Sequence, residues 1–133
     1  MLKYLLEKRK SVYALLTFYW LALFTATSIP ASSVPTLGVS DKVKHFAAYM
    51  ILTILLNITF LVQNKFPVLN RKSVLFTVII ASVYGIFDEL HQTLIPGRSC
   101  EFLDWAADVG GILLGIIFVK ILLPAGQKVK QPY

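Results

Sequence analysis

The sequence predicts an all-α, polytopic membrane protein: a bundle of four transmembrane helices with both termini in the cytoplasm. Three observations lead there. Of 133 residues, 56% are hydrophobic and 15% charged, whereas a soluble domain carries about a quarter charged residues. Four apolar runs, at about residues 12–29, 43–62, 74–95 and 102–123, each approach the roughly 20 residues that cross about 30 Å of hydrocarbon. The bases flank those runs and form no groove-sized patch, so the net charge of +6 reads as a topology signal and not as a nucleic-acid footprint. A single domain, residues 1–133, accounts for the length.

The first run follows Lys8-Arg9-Lys10. It has full membrane length and no small-residue cleavage site, which sets it apart from a signal peptide. Pro30 and Pro35 close it in a Ser-rich loop. The second run opens at Ser40 or Asp41, either of which can cap a helix, and it ends before residues 64–70, which include Pro67. Pro96-Gly97 turns the chain between the third and fourth runs, and Pro124 and Gly126 end the last. An even number of crossings puts Lys3, Lys8, Arg9, Lys10, Lys65, Arg71, Lys72, Lys120, Lys128 and Lys130 on one side. The positive-inside rule makes that side cytoplasmic, so residues 32–40 and 96–99 face outward. All the acids except Glu7 then gather at the outer end. Acids contribute little to topology, so another demand must keep them there.

Helical spacing groups these acids. On the fourth run Asp104, Asp108, Gly111 and Gly115 share a stripe. The glycines admit a close helix partner, and the aspartates point into the same contact. The third run carries Tyr84, Asp88, His91 and Gln92 on one face, with Glu89 on its flank. An ionised side chain in mid-membrane costs about 2.5–3.5 kcal/mol on insertion scales. Asp88 and Glu89 must therefore be paired with a base such as Arg98 or Lys44, protonated, or turned to water. Asp41, His45 and Tyr49 recur at four-residue intervals on the second run. Arg98, read as standing at the start of the fourth helix, suits a bidentate grip on carboxylate or phosphate. A bridge to Glu101, Glu89 or Asp88 is the internal alternative. Cys100 is the one cysteine, which excludes an internal disulfide. His45, His91 and the acids show no diagnostic ligand spacing on any one helix, so no metal and no cofactor is expected.

The motifs Ser28-Ile29-Pro30, Asp41-Lys42-Val43-Lys44-His45-Phe46-Ala47-Ala48-Tyr49, Tyr84-Gly85-Ile86-Phe87-Asp88-Glu89-Leu90-His91-Gln92 and Pro96-Gly97-Arg98-Ser99 appear in that order. With Asp104, Asp108, Gly111 and Gly115 they resemble the VanZ-like family over nearly the whole chain. The resemblance implies a bacterial cytoplasmic-membrane protein. The family is similar in name and motif to a protein associated with low-level resistance to the glycopeptide teicoplanin.

Two functions are expected from these residues. In the first, an outward-facing acidic cavity binds or acts on an amphipathic envelope molecule, a lipid-linked wall precursor or a lipoglycopeptide such as teicoplanin. Asp41, Lys44, Tyr49, Tyr84, Gln92, Arg98, Asp104 and Asp108 would line it, Gly111 and Gly115 would pack the helices, and any acid–base chemistry would fall to Asp88, Glu89 and His45. In the second, a structural or transport protein uses the same acids as polar glue or as an ion relay. The nearly apolar cytoplasmic halves of the helices count against a relay. The partners are a membrane lipid or a lipid-linked molecule, a homo-oligomer being left open and nucleic acid excluded.

Overall fold

A computed structural model describes residues 1–33 and 38–123. Pro35, Pro124, Gly126, Lys128 and Lys130 lie outside the described residues, which are all-helical and contain no strand. Four long helices carry the fold: α2 (Arg9–Thr27), α3 (Asp41–Val62), α5 (Ser73–Gln92) and α6 (Phe102–Leu122). Two short helices, α1 (Leu2–Glu7) and α4 (Pro67–Arg71), lead into α2 and α5. Helices α3, α5 and α6 are long and apolar enough to cross a membrane. Helix α2 matches them in length, but Arg9 and Lys10 and its several Thr, Tyr and Trp residues dilute its hydropathy.

The ends of these helices follow local chemistry. The Ser40 side chain accepts a hydrogen bond from the Val43 amide and caps α3. Pro67 starts α4, where its missing N–H costs nothing. Helix α5 stops at Gln92, three residues short of the apolar run that defined it in the sequence. The residue before a proline avoids helical geometry, and Gly97 adopts φ 75° in the following turn. Arg98 therefore lies in the loop between α5 and α6, not at the start of a helix, because α6 begins only at Phe102.

The distribution of polarity is inverted relative to a soluble domain. Phe18, Leu21, Val83, Leu90, Ile117 and Ile121 are exposed, while Asp88, Glu89, Gln92, Asp104 and Asp108 are buried. Surrounding hydrocarbon explains both halves of that pattern. The most extensive helix contact joins α3 to α6, and two glycines make it close. A Cβ on Gly111 would collide with the Phe46 carbonyl oxygen, and one on Gly115 would lie 2.8 Å from that of Met50. Tyr49, Leu52, Leu56, Ala81 and Ile112 fill the core beside this contact.

Candidate functional site

Most of the buried charge collects at one end of the bundle, around His45. This residue lies one turn into α3, where Ser40 sets the helix start. The tight α3–α6 contact carries Asp108 against it. His45 Nδ1 is 2.9 Å from Asp108 Oδ1 and 3.7 Å from Glu89 Oε1. One donor atom from each of His45, Glu89 and Asp108 falls within 4.8 Å of the others, a spacing that could hold a metal ion. The other oxygen of Glu89 accepts a 2.9 Å hydrogen bond from the Glu101 amide, the N-cap residue of α6. Gly85 on α5 completes the fit, since a Cβ there would stand 3.2 Å from Asp108 Oδ2.

Asp88 and Glu89 part company because successive helical residues point about 100° apart. Glu89 turns to α6. Asp88, 1% exposed, accepts from Gln92 Nε2 at 3.4 Å and keeps Oδ1 without a hydrogen-bond partner. Neither acid pairs with Arg98 or Lys44 among the described residues. Lys44 instead joins Asp41 at 2.8 Å, and Lys42 lies between Glu101 at 3.2 Å and Asp104 at 3.3 Å. The bridge from Arg98 to Glu101, Glu89 or Asp88 is likewise replaced. Its Nε donates to the Ile29 carbonyl at 2.9 Å, its Nη2 to the Ala26 carbonyl at 3.1 Å, and its Nη1 to Gln92 Oε1 at 3.4 Å. The guanidinium is thus held by neutral oxygens from the end of α2, the segment just after it and the last residue of α5, and its charge is not cancelled by a carboxylate among the described residues.

Two cavities of about 270 Å³ each adjoin this cluster and share Asp41, Lys44, His45 and Arg98. The first is mainly apolar, walled by Leu23, Ala26, Ile29 and Ala48, with Tyr49 and Asp88 at its side. The second is polar and adds Gln92, Ser99, Glu101 and Asp104. Glu89 and Asp108 line neither; they lie behind His45. A family model for VanZ/LLP1 matches residues 3–123 of this chain. The chain belongs to that family. No curated protein and no solved structure matches it.

Tyr84, expected to line the VanZ-like site, and His91, which spacing placed on the same helical face, line neither cavity. Tyr84 packs edge-on against Trp20, ring centroids 5.1 Å apart. His91 faces α2, with Nε2 3.0 Å from Ser28 Oγ and its ring stacked on Phe24. Spacing fixes which residues share a face but not which neighbour that face meets. Other contributors were missed. The last turn of α2 and the residues just after it supply most of the apolar wall and the carbonyls that hold Arg98, yet they carry no charge to signal a role. Only its Ser28-Ile29-Pro30 segment, one of the family-like motifs, marked it. Gly85 was visible as a glycine beside the acids, but its use as a recess for Asp108 requires knowing where α6 lies.

Proposed function

We propose that this VanZ-like protein binds an amphipathic, anionic molecule of the bacterial cell envelope, a lipid-linked wall precursor or a lipoglycopeptide such as teicoplanin. The observation that carries the reading is the junction of an apolar and a polar cavity at Arg98. A hydrocarbon chain suits the walls of the first. An anionic group suits the guanidinium between them, since three of its five N–H donors are in use and two remain. Asp88 and His45 line the cavity and are the groups placed to touch such a ligand; Glu89 supports His45 from behind.

In this reading α2 is the fourth crossing, both termini are cytoplasmic and the cavities open at the outer face of the bacterial cytoplasmic membrane. Cys100 is exposed and is the one cysteine in the sequence, so an impermeant maleimide should label it on intact cells. Labelling only after permeabilisation would reverse the orientation. The binding test is native mass spectrometry of the protein in nanodiscs containing a polyprenyl phosphate among zwitterionic lipids. Selective retention of the polyprenyl phosphate, reduced about tenfold in Arg98→Gln, is expected. Equal retention of both lipids would sink the proposal.

The ion pairs of Lys42 with Glu101 and Asp104 favour a second role for part of the cluster. These groups close the polar end of α3 against α6 and serve as interhelical glue.

A further inference from the structure

His45, Glu89 and Asp108 come from three different helices and converge in the most enclosed part of the site. Glu89 is 3% exposed and Asp108 fully buried. With Asp88 they bring three carboxylates into the bundle interior, and the described residues place no lysine or arginine within ion-pair distance of any of the three. The one basic neighbour within that distance among the described residues is His45. Uncompensated negative charge in hydrocarbon is costly, and among the described residues His45 alone faces two of these three carboxylates at ion-pair distance.

The geometry also leaves acceptors idle. Glu89 Oε1 and Asp108 Oδ2 are buried and have no hydrogen-bond partner. Both belong to side chains that already meet His45 Nδ1. A cation bound at about 2.0–2.2 Å from nitrogen and oxygen donors holds them roughly 3.3 Å apart in a tetrahedral arrangement. The observed separations of 2.9 and 3.7 Å bracket that value. Protonating one acid would cancel one charge and supply one donor, leaving the other buried carboxylate oxygens without a partner. A metal ion uses all three donors at once.

We propose that His45, Glu89 and Asp108 form a binding site for one divalent transition-metal cation. One imidazole and two carboxylates suit Zn²⁺ better than Mg²⁺, which prefers oxygen ligands and retains its waters. The hydrogen bond from the Glu101 amide orients the Glu89 carboxylate for this role. Gly85 leaves room for that of Asp108. The ion ties α3, α5 and α6 together beneath the two cavities, and of its ligands only His45 reaches the cavity wall. The site does not depend on the identity of the lipid ligand, and either proposal can fail alone.

The test uses the full chain in detergent, stripped with a chelator, dialysed against Zn²⁺ or Mg²⁺, and measured for metal per chain and for thermal stability. About one Zn²⁺ per chain is expected, with a raised melting temperature and no comparable uptake of Mg²⁺. His45→Ala and Asp108→Asn should abolish uptake. Glu89→Gln keeps the shape and should weaken binding at least tenfold even if the other two variants fold poorly. His91→Ala, remote from the cluster, should bind as the parent does. No Zn²⁺ on the stripped parent, uptake unchanged in Glu89→Gln, or equal loss in His91→Ala would each overturn the proposal.

Discussion

The two ends of the bundle treat buried polarity differently. At the α4 end the buried and half-buried amide side chains are neutral and answered from within. Asn57 Nδ2 donates to Thr77 Oγ1 at 3.0 Å, Asn70 Nδ2 to the Leu61 carbonyl at 2.6 Å, and Gln63 exchanges hydrogen bonds with the backbone of Phe66. At the His45 end most of the groups are titratable, and Tyr49 Oη, Asp88 Oδ1, Glu89 Oε1 and Asp108 Oδ2 keep an unused valence. A polar group retained only to join helices should be saturated by them. Under the proposed function, the unused valences beside the two cavities are what a bound ligand or ion would meet.

That contrast fails or sharpens under four substitutions. Gly111→Leu should have the largest effect, because it drives a side chain into the α3 backbone on which both ends depend. Folded protein should vanish from the membrane, and normal abundance by immunoblot would show that the helices can separate without harm. Glu89→Gln should divide the two properties. The protein should accumulate normally, while retention of the anionic lipid in nanodiscs, or an envelope phenotype such as teicoplanin susceptibility, falls about tenfold, equivalent to about 1.4 kcal/mol. Unchanged function at unchanged abundance would reduce the acidic end to glue. Asn57→Ala should do the reverse, lowering unfolding free energy in a detergent titration by about 1 kcal/mol with lipid retention intact. A loss of retention there would erase the distinction between the ends. Arg98→Lys should be mildest, a few-fold weaker retention, since lysine keeps the charge but loses the fork that reaches two carbonyls and Gln92. Parent-like retention would show that charge alone suffices.

The helices were legible because hydrocarbon imposes a length on apolar runs. The second and fourth runs in the sequence coincide closely with α3 and α6, and the first folds as α2 despite its diluted hydropathy. The short helices α1 and α4 were not legible, since neither buries a residue that would leave a pattern. Within the site, His45, Asp88, Glu89 and Asp108 were conspicuous as titratable residues in apolar surroundings. Their partners were not. Arg98 is held mainly by backbone carbonyls, which every residue possesses and no sequence pattern singles out. The separate fates of Asp88 and Glu89 depend on where α6 lies, and their adjacency in the chain conceals it.

The glycine contact between α3 and α6 also has a consequence in time. About forty residues separate Val62 from Phe102, so the most intimate pairing in the bundle joins helices made well apart, with α5 synthesised between them. Helices α2, α3 and α5 are therefore synthesised before the surface that seals Gly111 and Gly115 exists. Until α6 arrives, His45 and Glu89 lack Asp108, and Lys42 lacks both of its acids. Over that interval these polar side chains lack the partners they hold in the finished bundle.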